Sequence, residues 1–271
     1  MEWPRVKTLI IFVLLLINGF LLALVGTQQY QVSRYQHSAL THAVEVLEQR
    51  GISVDLQQLE QAPAPLTVEQ TGSPAPMMER LLGGNITHTD QGGGVHLYHG
   101  SNGMAVFRSS GSCTVTFTPG QPSATPPQSH ARQLLKQLKL ETALWKEEPT
   151  ANGVQLTFHQ LWEELPIFSC PIVLEYDTEG RLLSLDGTLL LDASAQAVAE
   201  PTLDLPTALI RFWSGIVASG DVCSALTDFR PGYRMDTLLG TSVSLSPVWY
   251  VSTNTADYHL DALTGVLTRI S

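Results

Sequence analysis

Eight histidines and three cysteines are spread through 271 residues, and with a few paired acids they are the groups from which chemistry would come. Cys170 and His159 could face each other across strands as a thiol–imidazole pair, but nothing in their spacing demands it. His96 and His99 stand three apart on an alternating stretch, so their rings point to opposite faces and do not share a metal. Glu147-Glu148 and Glu163-Glu164 are adjacent, and adjacent carboxylates in a strand or loop point apart into solvent instead of sharing a proton. Gly92-Gly93-Gly94 is too isolated for a phosphate loop and reads as a flexible turn. No Gly-x-Ser-x-Gly, Walker loop, His-Glu-x-x-His or Gly-x-Gly-x-x-Gly occurs. Cys113, Cys170 and Cys223 are an odd, sparse set without Cys-x-x-Cys, which points to buried core residues before a disulfide framework. The expectation is a protein that is not an enzyme, with no catalytic residue, no cofactor and no metal. Asn85-Ile86-Thr87 is a glycosylation sequon, meaningful only in a eukaryotic secretory host.

The elements that position everything else begin with an apolar run, Leu9–Val25, broken by one strong polar residue, Asn18. As a helix it would span ~26 Å at 1.5 Å per residue, and Gly26 and Thr27 bring it close to a bilayer core of about 30 Å. A transmembrane helix is therefore expected at 9–27. Val25 is a poor residue beside a signal-peptide cut, so the span should stay uncleaved. Arg5 and Lys7 precede it and the next basic residue is Arg34, which keeps residues 1–8 in the cytoplasm and exports the rest; Trp3 suits the interface. Asn18, with Gly19 beside it and Ile11, Leu15 and Leu22 on its face, is a candidate contact with a partner's membrane helix, unless it only bonds back to its own helix. The formal net charge of −10 argues against nucleic acid and anionic headgroups as partners of the exported part.

Beyond the span the pattern is helix then strands, three times over. Helices are expected at 30–50, closed by Gly51-Ile52, at 77–82, at 130–140, and from Pro206 to Ser219, closed by Gly220. Strands are expected at 66–70, 95–98, 103–108, 113–117, 154–161, 167–176, 181–186, 232–239, 248–253, 258–261 and 266–270. The four prolines between Pro119 and Pro127 mark a boundary. The reading is an α+β protein: a first exported unit at 28–120, a linker at 121–128, and a region 129–271 made of two units, about 129–200 and 201–271. Each unit would be a helix on one face of a curved antiparallel sheet, leaving the other face open to a partner or a second unit. Leu165-Pro166-Ile167-Phe168 and Ser246-Pro247-Val248-Trp249, each followed by paired strands and a Gly turn at Gly180 or Gly265, suggest internal duplication.

The segment Tyr258-His259-Leu260-Asp261-Ala262-Leu263-Thr264-Gly265-Val266 resembles the closing hairpin of PepSY-type modules. With Met1-Glu2-Trp3-Pro4-Arg5-Val6-Lys7-Thr8, the apolar run, Phe158-His159-Gln160, Leu165–Phe168, Gly232-Tyr233 and Pro247-Val248-Trp249, the chain is similar to the YycI family over most of its length. The resemblance implies a single-pass membrane protein of a Gram-positive bacterium with a PepSY-like exported domain. It further implies that, with a YycH-like protein, the chain regulates a sensor histidine kinase of a two-component system controlling cell-wall metabolism. Other readings are a PepSY-type exported modulator or inhibitor of a cell-wall hydrolase or peptidase, and an extracellular ligand-binding sensor.

Overall fold

A computed structural model describes residues 37–55, 59–70, 72–191, 193–237 and 242–270, together with Leu14, Ile17, Asn18 and Phe20. Helix α1 (residues 37–49) turns Ala43, Val44 and Leu47 inward. It stops where Gly51 takes φ +85° and the N–H of the fully buried Ile52 bonds to the Leu47 carbonyl, the closure that an αL residue followed by an apolar one provides. Then come β1 (Leu66–Gln70), α2 (Ala75–Leu82), β2 (Thr87–Asp90), β3 (Val95–Gly100), β4 (Gly103–Arg108) and β5 (Ser112–Gln121). Helix α3 (Pro127–Gln137) leads to β6 (Thr142–Thr150), β7 (Gly153–Trp162), β8 (Leu165–Asp177), β9 (Leu182–Thr188) and β10 (Ala193–Ala197). Helix α4 (Leu205–Ser219) is capped by Asp204, which accepts from the Thr207 N–H at 3.1 Å, and stops at Gly220 with φ +74°. Strands β11 (Leu226–Thr237), β12 (Ser242–Thr253), β13 (Asp257–Asp261) and β14 (Leu267–Arg269) complete the described chain.

The expected architecture, separate helix-on-antiparallel-sheet units behind a transmembrane helix, is corrected. The strands join into one large mixed sheet of 14, with the path β10-β1-β12-β11-β8-β9-β5-β4-β3-β2. The pairing between β5 and β9 ties strands of the first expected unit to the second, and a parallel contact, Tyr233 opposite Ile167, ties β11 to β8. Strand β1 lies between β10 and β12. Isolated units would have left these strand edges with bare N–H and C=O groups; pairing them satisfies the backbone and removes the edges. Among the described residues no helix is long and apolar enough to cross a membrane. The span expected at 9–27 lies outside the described residues apart from Leu14, Ile17, Asn18 and Phe20, which are helical and exposed.

Three apolar clusters hold the sheet. The first collects α2, α3 and the strands from β3 to β9 around Met78, Leu135, Phe158 and Tyr176. The second packs α1 and α4 on one face of β11, β12 and β13, around Leu47, Phe212, Phe229, Trp249 and Tyr258. Between them a seam of Val68, Ile167, Cys170, Leu190, Tyr233 and Leu245 joins the two. The first cluster contains Phe117 before the proline-rich stretch and Ala131 after it, so residues 121–128 connect β5 to α3 over a shared core.

Strands β2, β6 and β10 have no counterpart among the expected elements. β2 and β10 end the sheet path, and β6 pairs only with β7. All four residues of β2 are exposed, and β6 carries Lys146, Glu147, Glu148 and Pro149. Charge and proline are what protect an edge strand, and they also erase the alternation by which a strand is recognised.

Candidate functional site

The site lies beside the seam, on the face of β11–β13 opposite α4. Trp249, Val251, Tyr258 and Leu260 point into the helix-covered core, so strand alternation sends Tyr250 and His259 to the other side, where they stand opposite each other in register. Arg230 is the partner of Tyr250 on β11 and shares that face. From the neighbouring strands come Phe168 on β8 and His159 on β7. Trp145 joins them from β6 because of a bulge: Leu144 pairs with Phe158 and Lys146 with Thr157, leaving Trp145 as the extra residue. A bulge bends the strand and re-aims its side chain.

The rings close on Phe168. Its centroid is 5.7 Å from Trp145, 5.9 Å from His159, 5.6 Å from Tyr250 and 5.5 Å from His259. Trp145 meets His159 and Tyr250 edge-on, at 4.9 Å and 4.8 Å, the arrangement that matches positive ring edge to negative ring face. The Arg230 guanidinium lies 4.4 Å from the Trp145 ring centre and pairs with Asp228. Together Trp145, His159, Phe168, Tyr250, Asp257, His259 and Ile270 line a half-open cleft of about 190 Å³.

Its electrostatics favour uncharged imidazoles. Burial lowers the pKa of His159; the Ile167 backbone works against this and Arg230 adds to it. His259 is lowered to about 4 by burial, with Arg234 and His159 adding to the effect. Burial, with Asp257 beside the hydroxyl, pushes Tyr250 up to about 12. Asp257 also accepts from Ser252 Oγ at 2.6 Å. His159 is only 7% exposed, yet its Nδ1 has no hydrogen-bond partner. A buried polar atom left in this way costs free energy.

The structure does not bring the candidate thiol–imidazole pair into a reactive arrangement. Cys170 is buried in the seam, its Sγ 3.8 Å from Met235 Sδ, and burial pushes its thiol up to about 12. A thiol so far from ionisation is no nucleophile at neutral pH. His96 meets His88 across β2 and β3, Nδ1 to Nε2 at 3.2 Å, a contact unforeseen because β2 was not expected. Among the described residues no group of three or more His, Cys, Asp or Glu is placed to hold a metal ion. Glu163 and Glu164 form the two-residue turn between β7 and β8, both at positive φ, and Lys146 pairs with Glu148 at the surface. Asp261 Oδ1 accepts from the N–H groups of Leu263 and Thr264, and Gly265 takes φ +74°, so the Asp-Ala-x-Thr-Gly segment is an Asx-type turn. Of the membrane-contact and topology residues, Asn18 is helical and exposed, whereas Trp3, Arg5, Lys7, Ile11, Leu15, Gly19 and Leu22 lie outside the described residues.

In the sequence His159, Phe168 and His259 fall within short motifs that nothing local unites, and Trp145, Tyr250, Asp257 and Arg230 stand out only once the strands are paired. A lone Trp in the polar run Thr142–Thr150 was the available signal.

No protein-family model matches the chain, and no curated protein matches it. Among solved structures, an uncharacterized protein from Eubacterium rectale ATCC 33656 is similar at 11% identity and a TM-score of 0.48, covering 79% of this chain and 86% of that one. The Bacillus megaterium YpeB C-terminal domain is similar at 11% identity and a TM-score of 0.43, covering 75% of this chain and 99% of that one. At this level neither shows a shared family, and the YycI membership suggested by the short motifs is not shown.

Proposed function

We propose that this protein is a non-enzymatic regulator that binds a partner protein through the aromatic cleft between β6–β8 and β11–β13. The observation that carries the reading is the cleft itself, with five rings contributed by five strands around one half-open space. Such a surface is suited to holding an anchor residue, the kind of contact that dominates protein–protein binding energy. The class of partner comes from the motif resemblance, which favours a sensor histidine kinase of a two-component system together with a YycH-like protein. In this reading the chain sits at the outer face of the cell membrane, attached by its N-terminal apolar run, and Asn18 adds a contact within the bilayer.

The test is co-purification of the full chain with the sensor kinase from membranes, comparing the native chain with Trp145→Ala and Phe168→Ala. The kinase should be retained by the native chain and lost from both variants, with the chain remaining in the membrane fraction. Retention of the kinase by both variants would overturn the cleft as the contact. Capture of a cell-wall hydrolase in place of the kinase would overturn the kinase reading and favour the hydrolase modulator.

A further inference from the structure

Independently of the cleft, we propose that the β2–β3 ribbon binds one zinc ion, with His88 Nε2 and His96 Nδ1 as its two protein ligands and water in the remaining positions. The strand register makes the pair. His88 stands opposite Tyr98 and Asp90 opposite His96, so alternation puts these four residues on one face. Thr87, Thr89, Leu97 and His99 take the other. His96 and His99, on one strand, diverge; His88 and His96, on neighbouring strands, converge.

Distance is the first reason. The two facing nitrogens lie 3.2 Å apart. Two zinc–nitrogen bonds of ~2.0–2.1 Å meeting across such a gap enclose an angle of roughly 100–105°, close to the tetrahedral value that zinc adopts. The same separation also suits an N–H···N hydrogen bond between neutral imidazoles. When zinc binds, the donor ring carries its proton on its other nitrogen instead, so both facing nitrogens offer lone pairs and the pair loses no proton.

Order is the second. The His88 ring stacks on Tyr98, with centroids 4.8 Å apart and planes at 24°, and Tyr98 is buried in the first apolar cluster. That stacking holds His88 before any ligand arrives, so less conformational freedom is lost on binding. Access remains, because His88 is exposed and His96 half-buried.

Charge is the third. Asp90 Oδ1 accepts from the Gly92 N–H at 2.8 Å, which anchors a carboxylate on the histidine face. Arg108, the one Lys or Arg on β2, β3 and β4, is paired with Val95 and takes the opposite face. A divalent cation is therefore attracted there. Among the described residues no third His, Cys, Asp or Glu completes the set, so water supplies the other positions, as zinc allows at an open site.

The experiment uses the full chain in detergent micelles with carbon-13-labelled histidine. The His88 and His96 ring signals are assigned by their absence in His88→Phe and His96→Phe, and unmoved signals of His159 and His259 show that each variant folds. Zinc chloride is titrated in at neutral pH. The expected result is saturation at one zinc per chain, with both the His88 and His96 signals shifted. Each phenylalanine variant keeps a ring on its strand and removes one ligand. Each should weaken zinc binding at least about tenfold, the lower end of what even a supporting group contributes to a metal site. His99→Phe should bind zinc as the native chain does. No saturable shift at His88 and His96, native affinity in His88→Phe and His96→Phe, or an equal loss in His99→Phe would overturn the site and leave the pair a hydrogen bond.

Discussion

The ring of Phe168 occupies the place where a side chain at residue 232 would stand. A Cβ on Gly232 would come within 2.5 Å of Phe168 Cε2 and of the Pro166 carbonyl oxygen. The absence of that carbon lets β8 and β11 approach closely enough for Phe168 to form the floor of the cleft. Gly232→Ala should therefore destabilise the fold by about 1–3 kcal/mol, as overpacking does, and should weaken binding at the cleft. Urea unfolding measures the first effect and co-purification of the sensor kinase the second; an unchanged midpoint and an unchanged yield of kinase would contradict the contact.

Gln160 acts as a backbone partner for Leu190. Its Nε2 donates to the Leu190 carbonyl at 2.7 Å and its Oε1 accepts from the Leu190 N–H at 2.9 Å, all of it buried. Gln160→Leu leaves both backbone groups unsatisfied and is expected to cost about 2–4 kcal/mol. Chemical denaturation of the variant checks this, and a loss below the effect of an ordinary surface substitution would refute it.

The β7–β8 turn carries Glu163 and Glu164 at φ +47° and +72°, a conformation that L residues adopt at a cost. Two-residue hairpins with both central residues at positive φ favour Asn-Gly. The double change Glu163→Asn, Glu164→Gly should raise stability by about 1 kcal/mol, read as a higher melting temperature.

Acid should loosen the cleft. His259 titrates near 4 in the fold, because it is buried and Arg234 and His159 are close, whereas an unfolded histidine titrates at about 6.5. The unfolded chain therefore takes the proton first. This histidine imposes no penalty above about pH 6.5; stability falls as the pH drops from there to about 4, and below that its contribution is constant. His259→Phe should flatten the melting temperature over this window, and an identical slope in both proteins would show that the imidazole is not the cause.

Much of the secondary structure was legible because its causes are local. The apolar faces at three- and four-residue spacing mark α1 and α4, Gly51 and Gly220 stop them, and Asp261 and Gly265 make the last turn. β4 and β1 were legible to the residue from their bounding turns. The edge strands were not, because β2 and β6 carry the polar residues that keep an edge from pairing further.

Taken alone, the sequence determined the stops of α1 and α4 and most of the strands, since each depends on residues near one another along the chain. Tertiary structure alone decided that the strands fuse into one sheet through β5–β9 and β8–β11, because that pairing is chosen by which edges meet. It also decided the cleft. Trp145, His159, Phe168, Tyr250 and His259 come from five strands, and a bulge in β6 turns Trp145 toward the others. No local pattern encodes a meeting made by register and close approach across a sheet.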